Sequence, residues 1–211
     1  VTLVRLPPFS AGMRIGLFGG SFNPAHQGHR AVSLLALRRL RLDRIWWLVT
    51  PGNPLKDPGE LVALDVRVRA GAQIANDPRI VVTGLESDIG TRFTFETISF
   101  LKTRCRGVRF VWMMGADNFP GFHVWRRWRD IGRLVPIAVI DRPGSTLVAP
   151  NSRAAQMFAP YRIDESRAGR LADMKPPAYV FLHGPRSALS STALRAKSPP
   201  PAPPVRRAGC G

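Results

Sequence analysis

The sequence predicts an α/β fold built on a doubly wound parallel sheet, with strands in the order 3-2-1-4-5 and a short sixth strand at the end. Three observations carry this. The strand candidates are continuous apolar runs rather than polar and apolar alternations, as a sheet covered on both faces requires. They alternate with segments of helical period, the pattern of βαβ units. Most of the apolar runs stop at a turn rich in glycine, proline or asparagine.

Residues 13–18 form the first buried run, ending at Gly19 and Gly20, where the missing side chains let the backbone come close to a ligand. A helical pattern starts at Gln27, which puts His26, Gly28 and His29 at its N-terminus. Free N–H groups and the positive dipole end favour phosphate there, and two imidazoles can donate to phosphoryl oxygens as charge builds. The plain alternative is a helix cap with incidental surface histidines. The helix continues over 31–42 with Val32, Leu34, Leu35, Leu37 and Leu40 packing on the sheet, and Arg38, Arg39 and Arg41 read as solvated charges at its end.

Residues 44–50 are the second strand, and the loop Pro51-Gly-Asn-Pro-Leu-Lys56 follows on the rim where ligands bind in such sheets. A helix over 64–76 carries Val66, Val68, Ala70 and Ile74, with Arg67 and Arg69 as surface charges, and Asp77-Pro78 ends it. Residues 79–83 are the third strand, 86–93 a loop, and 94–102 a helix in which the Thr94 to Thr97 spacing allows a threonine cap. Residues 107–114 form the fourth strand, which stops at Gly115-Ala-Asp-Asn118. Strands one and four are neighbours in this order, with their helices on opposite faces, so the crevice between them is the nucleotide site and Asp117 faces His26 across it. A carboxylate there can bind ribose hydroxyls or cap the next segment.

Residues 119–129 interleave aromatics with arginines, either as a stacking platform for a base or as a helix with Trp125 and Trp128 in one buried stripe. A fifth strand spans 134–141. The pattern then weakens over 145–177, where 153–158 reads as a short helix. A sixth strand covers 178–183, and Leu189-Ser-Ser-Thr-Ala-Leu-Arg195 opens a last helix whose hydroxyls and guanidinium suit a triphosphate.

At 211 residues and 45% hydrophobic content, the chain reads as one domain over 13–197. A leader at 1–12 is expected to be flexible and a proline-rich tail at 198–211 disordered. Against 14 acidic residues stand 31 basic ones, a net charge of +17. That attracts any polyanion and does not choose between nucleotides and nucleic acid. Cys105 and Cys210 are the only cysteines, too few for a cysteine metal site and, with one in the tail, unsuited to a structural disulfide, which fits the cytoplasm. No run of about twenty apolar residues is available to span a membrane.

Three segments together resemble the nucleotidyltransferase superfamily, and within it the bacterial nicotinate-nucleotide adenylyltransferases. They are Gly16-Leu-Phe-Gly-Gly-Ser-Phe-Asn-Pro-Ala-His-Gln-Gly-His29, the Gly115-Ala-Asp-Asn118 turn with Phe122-His-Val-Trp125 and Trp128 after it, and the Ser-Ser-Thr segment. The last departs from the superfamily's Ile-Ser-Ser-Thr-x-Ile-Arg only in having leucines at 189 and 194. The resemblance implies a Rossmann-like nucleotidyltransferase fold and transfer of AMP from ATP to nicotinate mononucleotide, giving deamido-NAD and pyrophosphate by direct in-line attack. It implies His26, His29 and Arg195 as catalytic, with Gly19, Gly20, Ser21, Phe22, Gly115, Asp117, Ser190, Ser191 and Thr192 joining them around ATP. Asn23, Asn53, Lys56, Thr94, Asp117 and Trp125 would surround the mononucleotide, Trp125 at the pyridine ring. Mg2+ would arrive bound to ATP, with no metal held by the protein alone. Pantetheine-phosphate adenylyltransferase or a cytidylyltransferase would share the histidine motif. A basic nucleic-acid-binding protein would leave the glycine turn and the Ser-Ser-Thr segment unexplained.

Overall fold

In the computed structural model, which describes residues 4–52, 61–141 and 152–184, the apolar runs become parallel strands. These are β1 (Arg14–Gly20), β2 (Arg44–Val49), β3 (Ile80–Thr83), β4 (Arg109–Gly115), β5 (Ile137–Ile140), β6 (Arg162–Ile163) and β7 (Tyr179–Leu182). They lie in the order β3-β2-β1-β4-β5-β7-β6. β1 pairs with β2 on one side and with β4 on the other, Leu17 lying between Trp46 and Trp112. The order 3-2-1-4-5 therefore holds, and the strand expected at 178–183 joins β5. The added edge strand β6 is two residues long and carries no apolar run that would announce it.

Helices α1 (Gln27–Arg39), α2 (Leu64–Ala75), α3 (Leu85–Asp88), α4 (Thr94–Arg104), α5 (Trp128–Leu134) and α6 (Arg153–Phe158) cover the sheet. Val32, Ala36, Leu37 and Leu40 of α1 pack with Phe18, Trp47, Val111 and Met113 on one face. Ile98 and Leu101 of α4 and Ile131 of α5 pack with Leu17, Trp46, Phe110 and Trp112 on the other. Consecutive strand residues point to opposite faces, so a strand such as Ile45–Val49 must be apolar throughout, and it is buried throughout.

Four expectations need correction. Residues 86–93 are not all loop, because α3 occupies their start. Residues 119–129 do not form one helix: a 3-10 turn at Pro120–Val124 and α5 are separated at Trp125, which has an extended backbone, and Arg127, which has φ +56°. Residues 4–12, read as part of a loose leader, place Val4, Leu6 and Phe9 against the core, with Phe9 edge-on to Trp46 at 6.4 Å. The Gly12 amide also donates to the Gly107 carbonyl at 2.9 Å.

The fourth correction concerns Arg67, read as a surface charge. It is 3% exposed, while its neighbour Val66 is 42% exposed. Gly71 and Ala75 are buried on the same stripe, and a Cβ on Gly71 would come within 3.0 Å of Val82. This is the close-packed face of α2, and the guanidinium continues it. Arg67 donates from Nε to Val62 O (2.6 Å) and from one terminal nitrogen to Ser21 O (2.7 Å) and Thr50 O (2.9 Å). A buried cation is tolerable only when its protons are matched, and here carbonyl oxygens following β1 and β2 match them.

Arg67→Met, similar in volume but without donors, is expected to lower unfolding stability by roughly 3 kcal/mol, because three carbonyls lose their partner. Arg69→Met, removing an exposed pair with Asp65, is expected to leave the unfolding midpoint where it is in the parent, because solvent screens that pair. Urea titration of the two variants beside the parent checks the contrast.

Candidate active site

The carboxyl ends of β1 and β4 lie side by side, because the two strands pair directly up to Phe18 and Met113. β1 runs on to Gly20 and β4 to Gly115, so the Gly19 to Asn23 turn and the Gly115 to Asn118 turn share one rim. α1 leaves that rim on one face while α4 and α5 cover the other. The crevice is thus the switch point at which open α/β sheets bind ligands.

The turn after β1 is packed through an aromatic ring. Phe22 is buried with φ +45° and stacks on Trp47 at 4.9 Å with the rings 12° apart. The Asn23–Pro24 bond is cis. Gly19 also has a packing reason. A Cβ on Gly19 would meet Trp112 at 2.6 Å, so this glycine admits an indole from the neighbouring strand.

His26 and His29 are at once the cap and the pair of imidazoles. The Gly28 amide donates to His26 Nδ1 at 3.1 Å, and the His26 amide donates to His29 Nδ1 at 3.2 Å. This is a capping box made of two histidines. The rings lie 3.9 Å apart, and both residues are buried. Since each Nδ1 accepts a hydrogen bond from a backbone N–H, a neutral ring carries its own proton on Nε2 and is an N–H donor there. The cap reading therefore holds, with the histidines buried rather than at the surface. Behind it, Trp47 Nε1 donates to Ser33 Oγ (2.8 Å) and Ser33 Oγ donates to His29 O (2.9 Å).

Gly115 is buried and Asp117 exposed on the facing turn. Asp117 is not the N-cap of the next segment, since that position belongs to Phe119. Trp125 is half-buried, edge-on to Trp112 at 6.2 Å and to Phe122 at 5.4 Å. Trp128 packs against Phe122 and Phe158. Cation–π contacts then fasten this segment to the start of α4: Arg126 lies 4.7 Å from the Phe93 ring and Arg127 3.7 Å from the Phe95 ring. Thr94 and Trp125 thereby sit on segments held together. Thr94 is not the helix cap. That position belongs to Phe93, with no side-chain bond, and the Thr97 hydroxyl turns instead to Glu86.

Asn53, Lys56, Ser190, Ser191, Thr192 and Arg195 lie outside the described residues, as does Cys210. Cys105 is a buried free thiol. Among the described residues no group of three or more His, Cys, Asp or Glu side chains gathers to hold a metal ion.

Sequence reasoning missed Glu86. This carboxylate is 6% exposed and accepts from Thr97 Oγ1 at 3.1 Å, while its backbone oxygen accepts the Thr91 amide at 3.0 Å. Thr91 and Thr97 share a further bond at 3.0 Å. Glu86 thus shapes the loop that delivers Thr94. Burial pushes its pKa up to about 7, with the Thr97 and Thr50 hydroxyls pulling it partly back.

The family model described as cytidylyltransferase-like matches residues 17–197. A relative from Methylorubrum extorquens, named "Probable nicotinate-nucleotide adenylyltransferase", is 62% identical over 185 residues, covering 88% of this chain and 100% of its own. A relative of the same name from a Bradyrhizobium species is 58% identical over 183 residues, covering 87% of this chain and 95% of its own. Among solved structures, Plasmodium falciparum nicotinic acid mononucleotide adenylyltransferase complexed with NaAD superposes with a TM-score of 0.64 at 20% identity, covering 87% of this chain and 83% of that one. At that identity the likeness speaks for the fold alone.

A buried carboxyl whose native pKa is raised from 4.5 to about 7 binds its proton more tightly folded than unfolded. Its contribution to stability is complete below about pH 4.5 and is lost as the pH climbs through 7, a swing of roughly 3 kcal/mol. Glu86→Gln is expected to escape this loss. Relative to the parent, the variant should gain stability between pH 4.5 and 8, read by urea titration at each pH.

Proposed function

Because this chain belongs to the nicotinate-nucleotide adenylyltransferase family of cytidylyltransferase-like proteins, we propose that it transfers AMP from ATP to nicotinate mononucleotide. The products are deamido-NAD and pyrophosphate. The observation that carries this reading is the reciprocal histidine cap at the β1–β4 switch point, facing a turn that leads to Trp125.

The mononucleotide's phosphate oxygen attacks the α-phosphorus of ATP, and the bond from that phosphorus to the bridging oxygen of the β-phosphate breaks as pyrophosphate leaves. No protein nucleophile takes part. The chain's own work is positioning and charge stabilisation. His26 and His29 donate from Nε2 to phosphoryl oxygens, and the N-terminus of α1 adds its dipole. Gly19, Gly20, Ser21, Phe22 and Gly115 wall the nucleotide, and Asp117 accepts from ribose hydroxyls. Ser190, Ser191, Thr192 and Arg195 take the leaving pyrophosphate. Asn23, Asn53, Lys56, Thr94 and Trp125 receive the mononucleotide, Trp125 against the pyridine ring. Mg2+ would enter as part of the ATP substrate, where it would shield the charge of the triphosphate. No described helix is long and apolar enough to cross a membrane, and we place the reaction in the cytoplasm.

The reading is tested by pyrophosphate release from ATP with nicotinate mononucleotide, nicotinamide mononucleotide or phosphopantetheine as acceptor. Nicotinate mononucleotide is expected to be turned over best, and product from phosphopantetheine alone would overturn the assignment. His29→Ala is expected to lose a hundred- to a thousandfold in kcat, roughly the worth of one transition-state donor, while its circular dichroism spectrum still shows a folded α/β protein.

A further inference from the structure

The opposite end of α1 carries a second concentration of charge. Arg38, Arg39 and Arg41 leave its C-terminus and meet Arg167 and Arg170 across a groove of about 420 Å3. The last two come from the 3-10 segment Glu165–Asp173. Helix-end electrostatics account for the first three, but not for a separate segment that brings two more guanidiniums up to them. Only Arg39 is ion-paired among the described residues, with Glu165 at 2.9 Å, although Arg167 also acts on Asp164 through charge. Arg38, Arg41, Arg167 and Arg170 are exposed.

One guanidinium of the groove is seated on a glycine. Arg41 has φ +52° because it is the left-handed residue that ends α1, the Leu42 amide closing on the Leu37 carbonyl at 3.1 Å. Its side chain lies across Gly169, where a Cβ would stand 3.0 Å from Arg41 Nε and 3.2 Å from Cδ. The absent side chain at position 169 therefore leaves the room in which this one guanidinium lies along the groove. The remaining lining is Ser166 and Gly169, with no aromatic ring and no carboxylate.

We infer that this groove binds a short polyphosphate chain, pyrophosphate or tripolyphosphate, at a site separate from the histidine crevice. Guanidiniums this close repel one another within a Debye length of about 8 Å, and linked phosphoryl groups place several negative charges among them. The planar fork of arginine matches phosphoryl oxygens two at a time. With no ring to stack on, a base gains nothing here, so recognition rests on the phosphates. The negative dipole end of α1 opposes an anion only weakly, and the exposed guanidiniums of Arg38, Arg41, Arg167 and Arg170 outweigh it. The 13 residues of α1 put about 20 Å between this groove and His26, too far for one such anion to reach both. The inference does not depend on the reaction proposed above.

The test is calorimetric titration of the full chain with tripolyphosphate, ionic strength held constant with sodium chloride. The parent is compared with Arg41→Ala/Arg167→Ala/Arg170→Ala and with His29→Ala. We expect the triple variant to lose a binding component, weakened at least tenfold, that His29→Ala retains. Pyrophosphate release by the triple variant should stay within twofold of the parent. Gly169→Leu, which crowds Arg41 without removing charge, should weaken the same component severalfold, and it decides the matter if the triple variant does not fold. Unchanged binding in these variants overturns the inference. So does an equal rise in melting temperature with sulfate, or duplex RNA held by these arginines and not displaced by tripolyphosphate.

Discussion

The arrangement of the site depends on one buried cation. Arg67 reaches from α2 to oxygens of Ser21 and Thr50, the residues that follow β1 and β2, and so joins two loops that the sheet alone would leave independent. Thr50 adds its own amide bond to Gly20 O at 3.0 Å. Strand pairing fixes the residues within the sheet, but a ligand is held by what comes after the strands, and those segments have no ladder to order them. A planar group with several fixed donors can hold three carbonyls at once, which an ammonium could not do with the same geometry.

The two halves of the crevice are built by different means. On the α1 side the rings interlock: Phe22 lies on Trp47 and 4.8 Å from His29, and Ser33 bridges Trp47 to the His29 carbonyl. On the other side the contacts run between arginines and aromatics, Arg126 and Arg127 reaching over Phe93 and Phe95. Trp112 connects the halves, since it occupies the space that a side chain at Gly19 would need and takes Trp125 against its edge. The side proposed to hold phosphates is thus packed around buried histidines, and the side proposed to hold the pyridine ring is assembled from half-buried rings and exposed cations.

Sequence patterning was informative where a residue's role follows from its own polarity. The strands of the sheet's centre declare themselves because both faces are covered, and β6 does not because two residues carry no period. The histidine motif was legible as a helix start, whereas its burial was not, since it comes from the rings of Phe22 and Trp47 packed beside His29. Arg67 was misread because arginine between valines looks like a solvent-facing residue. The available signal lay one and two turns on, in Gly71 and Ala75, which mark the face that approaches the sheet. Thr94 was given a cap that the helix does not use, since Thr97 is engaged by Glu86. Glu86 itself left no pattern: a carboxylate buried against hydroxyls looks in sequence like any surface acid.

The histidine cap has an evolutionary consequence. At most helix starts Ser, Thr, Asp and Asn can replace one another with little effect on folding, so the position drifts freely. Here the residue that closes the helix is also one proposed to donate to phosphate, and on that proposal the two duties constrain each other. A lineage that exchanged His26 for asparagine would keep a competent first turn and lose that imidazole. One that kept the imidazole but moved it by a residue would unravel the turn that aims it. Chemistry and folding at this spot can therefore change only together, which makes it a poor place for gradual divergence.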